Sequence, residues 1–223
     1  MLLSPSGAPH IAQALVAADA VRLAGDTPFF YTSGWASPVY VDVHALLGDA
    51  KERTALMDGM AEAVAPLIGR RGIGAVVGTE SSGIAIAAWL ADRLRLPMLT
   101  LRKRPIGWGV QAQLQGRLPQ GCKVLLVDDV NTDGRSKHAA AAALRQVGAA
   151  VEDALVLLDY AIYPKVAPVQ PPLCLLALVG WEHLHVALQN SGKLTDAQCR
   201  TLKDFSESPT SWSVAHGGTG ALA

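Results

Sequence analysis

An α/β fold with a parallel sheet covered on both faces is what the sequence predicts, and three observations predict it. Short runs rich in β-branched residues, Ala75-Val76-Val77-Gly78 and Val124-Leu125-Leu126-Val127, are continuously apolar, the pattern of strands buried on both faces. Each passes through a small polar loop into a helical stretch, so strands and helices alternate along the chain. Half of the 223 residues are apolar, enough for one sizeable core and a small lobe.

His10 to Ala24 reads as an amphipathic helix, with Ile11, Leu15, Ala18 and Val21 near helical spacing. Phe29-Phe30-Tyr31 begins an aromatic strand, Ser33-Gly34 is a turn, and Pro38 to Val43 alternates with period two as a second strand. Lys51 to Ile68 is helical, Ala75 to Gly78 a buried strand, Ile84 to Leu94 a helix and Pro97 to Leu101 a strand. After the central strand comes an alanine-rich helix, Lys137 to Val147, then a strand over Glu152 to Leu158. Leu173 to Val179 is a further apolar run, with short helices over His183 to Asn190 and Thr195 to Phe205. From Ser206 the chain is rich in Ser, Gly, Thr and Ala and reads as a flexible tail, which leaves 1–205 as a single domain. There is no internal repeat.

The formal net charge is zero, so neither a nucleic acid nor a membrane surface is expected as a partner. Cys122, Cys174 and Cys199 are widely spaced and form no CxxC, which argues for a reducing compartment and against a disulfide framework or zinc site. The first residues lack a basic region followed by an apolar core, and no apolar stretch reaches the ~20 residues a membrane helix needs. Cytoplasmic location is the expectation. His183 and His185 lie two apart beside Glu182, but alternate residues on a helix do not converge on a metal.

The most informative stretch runs from Val124 to Ser136. A buried strand ends in the doublet Asp128-Asp129, and Thr132, Asp133, Gly134, Arg135 and Ser136 lead into the helix. Such a loop aims amide N–H groups and hydroxyls at one point before a helix N-terminus, an anion site suited to phosphate. Carboxylates at the strand's carboxyl end would repel a bare phosphate; they suit sugar hydroxyls or a hydrated Mg²⁺. The residues therefore point to a phosphorylated ribose with magnesium nearby. Asp133 is unexpected in a phosphate loop, and the sequence leaves it either pointing outward or capping the helix, offset by Arg135.

This stretch resembles the ribose-phosphate motif of the type I phosphoribosyltransferases, which use 5-phosphoribosyl 1-diphosphate (PRPP). The resemblance covers roughly residues 10 to 205 and is to the orotate-specific branch. Phe29 to Val43 looks like its N-terminal hairpin, part of a hood over about 1–45, and Thr32 and Ser33 fall at base-facing positions. Thr79, Glu80, Ser81, Ser82 and Gly83 match the pyrophosphate loop, and Arg102-Lys103 the basic pair that contacts the leaving pyrophosphate. The resemblance implies Asp128 and Asp129 on the ribose, 132–136 on the 5-phosphate, Mg²⁺ carried by PRPP, a small heterocyclic base as acceptor, and a homodimer with Arg102 reaching across the interface.

Several positions depart from the family pattern. Thr32 and Ser82 stand where Lys is usual, Glu80 adds an acid, and Ile106 and Trp108 replace a Lys and a His of the catalytic loop. Tyr160 stands where an Arg pairs with the orotate carboxylate. One lost charge-assisted bond of that kind is worth about 1.5–3 kcal/mol. Arg104, Arg117 and Arg135 are the nearby cations that would compensate. Trp35 and Trp108 suit either a stacked base or a subunit interface. Two readings follow: a phosphoribosyltransferase acting on orotate or a related base, or a PRPP- or nucleotide-binding regulatory protein without turnover.

Overall fold

The computed structural model describes residues 1–3, 7–107, 113–165 and 170–221. The N-terminal part holds α1 (Ala8–Ala17), β1 (Val21–Leu23), β2 (Phe29–Phe30), β3 (Ala36–Ser37) and β4 (Val39–Val41). The helix expected to continue to Ala24 ends instead where Asp19 enters the left-handed region at φ 51°. Val21 to Leu23 then pairs antiparallel with Val39 to Val41, a better use of an alternately exposed triplet that begins with a β-branched residue than another helical turn. The aromatic strand shrinks to two residues, paired with Ala36–Ser37 in a small hairpin.

Next come α2 (Ala45–Gly48), α3 (Ala50–Arg71), β5 (Ala75–Thr79), α4 (Ser82–Leu94), β6 (Met98–Leu101) and β7 (Leu114–Gln115). They are followed by β8 (Lys123–Asn131), α5 (Arg135–Gln146), β9 (Ala150–Asp159) and β10 (Cys174–Gly180). The sheet runs β10-β9-β8-β5-β6-β7, parallel throughout except for β7, which pairs antiparallel with the end of β6. Two residues are too few for a sequence signal, so β7 was not foreseen. Successive residues along the sheet's central strands alternate between two cores. Val76, Leu125, Val127 and Leu155 face α1, α3 and α4, whereas Val77, Leu126 and Ala154 face Ala141 and Leu144 of α5.

Going out from β5, the chain builds β6 on one side and then returns to build β8, β9 and β10 on the other. That reversal leaves a switch point between β5 and β8, where open α/β sheets form their ligand crevice. The start of α4 is pressed against it. A Cβ on Gly83 would run into the Val127 carbonyl and lie 2.7 Å from Thr79 Oγ1 and 3.0 Å from Asp128 Cα. Gly83→Ala is therefore expected to lower stability by about 1–3 kcal/mol through overpacking. Gly69→Ala, where an added Cβ meets nothing within 4 Å, should be neutral or mildly stabilising. Urea midpoints of the two variants check this, and an undisturbed Gly83→Ala would contradict the close approach.

The chain closes with α6 (Trp181–Asn190), α7 (Asp196–Glu207) and α8 (Pro209–Ala215). The expected flexible tail from 206 onward is corrected here. Pro209 opens α8 at its first position, where a missing N–H costs nothing, and Trp212 packs edge-on to Phe205 with ring centroids 5.6 Å apart. The buried Ser213 hydroxyl accepts the Ala36 amide (3.0 Å) and donates to the Thr219 carbonyl (2.7 Å). Thr219 in turn donates its amide to the Gly34 carbonyl (2.9 Å). This segment fastens the N-terminal hairpin. No helix among the described residues is long and apolar enough to cross a membrane.

Candidate active site

A cleft of about 580 Å³ opens at the switch point. Its floor is the carboxyl end of β8, its two banks are the loops after β5 and β8, and the hairpin roofs one end. Of the residues singled out in the sequence, Thr32, Ser33, Glu80, Ser82, Lys103, Asp128, Asp129, Thr132, Asp133, Arg135, Ser136 and Tyr160 line it. Thr79 and Arg102 line an adjoining hollow of about 250 Å³ that shares Glu80, Lys103, Asp128 and Ser136. Ser81, Gly83 and Gly134 supply backbone to the loops; Gly134, at φ 93°, makes the turn into α5. Trp108 and Gly109 lie outside the described residues.

The two carboxylates are held differently. Asp128 Oδ2 is 2.6 Å from Lys137 Nζ, which also donates to the Val130 carbonyl (2.5 Å) and to Ser136 Oγ (3.2 Å). Lys137 is only 4% exposed, so a buried ammonium spends its three protons on three acceptors. Asp129 accepts the Val130 amide through Oδ1 (2.7 Å), while Oδ2 lies 3.9 Å from His44 Nε2. Burial, and then the neighbouring Asp128, raise the Asp129 carboxyl above its ordinary value.

Asp133 neither points outward nor sits loosely at the helix end. It is 2% exposed, and accepts the Arg135 amide (3.0 Å), the Arg135 Nε–H (2.9 Å) and the Trp35 indole N–H (3.1 Å). Burial alone would raise its pKa, but these three donors outweigh that and hold it below the usual carboxylate range. Arg135 completes the clasp by donating to the Ser33 carbonyl (2.6 Å). Trp35 is thus wholly buried within one subunit, available neither to stack on a base nor to meet a partner. Arg135, read as a reserve cation, is instead tied to the hairpin.

On the opposite bank the Glu80–Ser81 peptide is cis, and Glu80 accepts the Lys103 amide (3.0 Å). Under the hairpin, Tyr31 lies 2.7 Å from the Tyr160 hydroxyl and donates its single proton to the Val39 carbonyl (2.9 Å), so Tyr160 is the donor between them. Burial pushes both phenols up, Tyr31 to about 12. Tyr160 also stacks on Trp181 at 5.6 Å and is almost wholly buried where it lines the cleft.

Sequence reasoning missed Lys137, His44, Lys165 and Tyr31. Lys165 donates to the Thr132 carbonyl and to Asp159 Oδ1, both at 2.8 Å, and steadies the loop from outside. Lys137 did leave a signal. A cation in the first turn of a helix opposes the helix dipole, and so calls for an anionic partner.

An open sheet reversing at β5, with an acidic pair and a glycine-turned amide loop on one bank, defines the type I phosphoribosyltransferase class. Solved structures agree. The orotate phosphoribosyltransferase of Aeropyrum pernix superposes with a TM-score of 0.68 and 30% identity, over 83% of this chain and 99% of that one. Adenine phosphoribosyltransferase from Saccharomyces cerevisiae shares the fold alone, at TM-score 0.51 and 20% identity over 67% of this chain and 88% of that one. Among curated proteins, the orotate phosphoribosyltransferase of Sinorhizobium medicae is 34% identical over 215 residues, 96% of this chain and 93% of its own length. That of Agrobacterium fabrum is also 34% identical, over 95% and 92% respectively. A scan against protein-family models finds no match. The chain belongs to the orotate phosphoribosyltransferase family.

Proposed function

We propose that the protein transfers ribose 5-phosphate from PRPP to a ring nitrogen of a heterocyclic base. The new bond joins that nitrogen to C1 of the ribose, the bond from C1 to the diphosphate oxygen breaks, pyrophosphate leaves, and the ring nitrogen gives up its proton. The observation that carries this reading is the pairing of Asp128-Asp129 with the 132–136 loop at the switch point, facing the hairpin across one cleft.

In this reading the loop's amides and the Thr132 and Ser136 hydroxyls hold the 5-phosphate in front of α5. Asp129, less encumbered than its neighbour, accepts from the ribose hydroxyls, and Lys137 holds Asp128 in place beside it. Arg102, Lys103 and the 79–83 loop face the leaving pyrophosphate, where negative charge grows in the transition state. The cleft's own charges are Glu80, Asp128, Asp129 and Asp133 against Lys103, Arg135 and Lys137, a net of 3 − 4 = −1. A polyanion needs more positive charge than that. Mg²⁺ supplies charge neutralisation when it arrives with the diphosphate. The donor set fits a metal brought in that way: oxygen ligands on two carboxylates, one already paired, and no cluster of three His, Cys, Asp or Glu among the described residues to cage an ion. The same shortage supports a homodimer in which Arg102 serves the neighbouring site. Free Cys122, Cys174 and Cys199 support a cytoplasmic setting.

Ile106, an apolar side chain 60% exposed just beyond the basic pair, favours a second reading, a PRPP- or nucleotide-binding protein without turnover. The experiment runs in two stages. PRPP with Mg²⁺ at a hundredfold excess over Kd should stabilise the fold by about 2.7 kcal/mol, a shift that Asp129→Asn removes while its unliganded melting temperature stays within a few degrees. Pyrophosphate release with a panel of bases then separates enzyme from binder. A protein that PRPP leaves unshifted refutes both readings.

A further inference from the structure

Three consecutive residues of the hairpin turn are tied down from distant parts of the chain. The turn itself closes through the Tyr31 amide on the Trp35 carbonyl (2.9 Å) and the Gly34 amide on the Tyr31 carbonyl (2.8 Å). From outside, the Ser33 carbonyl accepts from Arg135 Nη2 (2.6 Å), the Gly34 carbonyl accepts the Thr219 amide (2.9 Å), and the Trp35 indole donates to Asp133 (3.1 Å). Two of these three ties come from the 132–136 loop, across 102 and 98 residues of sequence.

Arg135 joins the two elements. Its Nε–H and its amide both go to Asp133, at 2.9 and 3.0 Å, and its Nη2 goes to Ser33. The amide that this residue would offer an anion in front of α5 is therefore already taken. Trp35 is wholly buried and Asp133 nearly so, which keeps water out of the joint. Charge-assisted bonds in such a dry, forked arrangement fix direction as well as distance. All of the joint lies within one chain.

The joint has a subsite at each end. Thr32 and Ser33 line the cleft from the turn so held, and Thr132 and Ser136 line it from the loop that holds them. In the phosphoribosyl reading the first pair faces the base and the second the 5-phosphate. Ribose connects those two ligand groups at a set separation, so the subsites must keep a matching one. Arg135 spans the gap between them.

We propose that Arg135 is a positioning residue for the base: it sets the hairpin against the phosphate loop and so strengthens binding of the base without itself holding the phosphate. The inference rests on the phosphoribosyl reading and adds a role within the same site. Its signature is a loss confined to the base. A loop arginine that served the 5-phosphate directly would weaken every phosphorylated ligand alike.

Two ligands that differ by the base test it: ribose 5-phosphate and orotidine 5′-monophosphate, titrated calorimetrically into the protein with Mg²⁺. The ratio of their dissociation constants reads the share of the base and needs no turnover. Arg135→Met keeps the aliphatic stem and removes the fork. It is expected to leave ribose 5-phosphate within about twofold and to weaken the nucleotide about tenfold, an ordinary size for coupling between sites. Partial unfolding would lower the number of binding sites, not the ratio. Trp35→Phe, which removes only the indole N–H from the same joint, should lower the ratio in the same direction, and it supplies the measurement if Arg135→Met does not fold. Equal weakening of both ligands by Arg135→Met overturns the inference, because the guanidinium would then serve the phosphate. A ratio that a folded Arg135→Met or Trp35→Phe protein leaves in place overturns it too, because the joint would not then set the hairpin. An unmodified protein that binds ribose 5-phosphate and gains nothing from the base also overturns it, with the ribose-phosphate site left standing. If the unmodified protein binds neither ligand, the phosphoribosyl reading falls and takes the inference with it.

Discussion

Asp128→Ala is expected to destabilise the protein by about 3–5 kcal/mol, the cost of leaving a buried ammonium without its anion. Lys137 would keep the Val130 carbonyl and Ser136 Oγ, but both are neutral, and at 4% exposure the side chain has little access to water. Denaturant midpoints at pH 7 measure the loss. The double variant Asp128→Ala with Lys137→Met should recover most of it, since removing both charges also removes the desolvation cost. A cycle of the four proteins then gives the coupling between the two residues. A single variant that loses less than about 1 kcal/mol would mean that Lys137 is solvated, contrary to the packing described.

Asp133→Ala is the second large expected effect. It removes the acceptor of the Trp35 indole, the Arg135 amide and the Arg135 guanidinium together, about 2–4 kcal/mol for charge-assisted bonds that do not add fully. Loss of the clasp should also free the hairpin, seen as faster amide exchange over Phe29–Ser37 at conditions where β8 stays protected. The pH dependence follows from the carboxyl's depressed pKa. Its stabilisation is complete above the ordinary carboxylate range and disappears as pH falls through the lower folded-state value. The gap in melting temperature between the protein and Asp133→Asn should therefore be constant near neutrality and narrow below about pH 4. A gap that widens on acidification would show the sign to be wrong.

The alternation of buried strands with helices was legible because Ala75–Gly78 of β5 and Val124–Val127 of β8 are buried without a break. Asp128, Asp129 and the loop after them could be singled out because they are adjacent in the chain, and the structure places them on one cleft. What escaped were contacts between residues far apart. Nothing near Trp35 announces Asp133, 98 residues away, and nothing near Tyr31 announces Tyr160. Composition misled at the C-terminus. Ser and Gly beyond residue 206 suggested a solvated tail, whereas Ser213, Gly218 and Thr219 are small because they pack against the backbone of Gly34 and Ala36. The end of α1 was misjudged for a related reason. Val21 to Leu23 fits either period over three residues, and only its distant partner strand decides.

The fastening of the hairpin by α8 has a consequence for how the chain is made. Ala36 and Ser213 are separated by 177 residues, so at about 5–20 residues per second a ribosome delivers the second roughly 9–35 s after the first. Throughout that interval the central sheet has its own strands to pair with, but β3 of the hairpin lacks the helix that packs against it. Nascent chains stalled after β10 should accordingly bind hydrophobic-surface chaperones at the N-terminal segment, and release them once Ser213 has emerged from the exit tunnel.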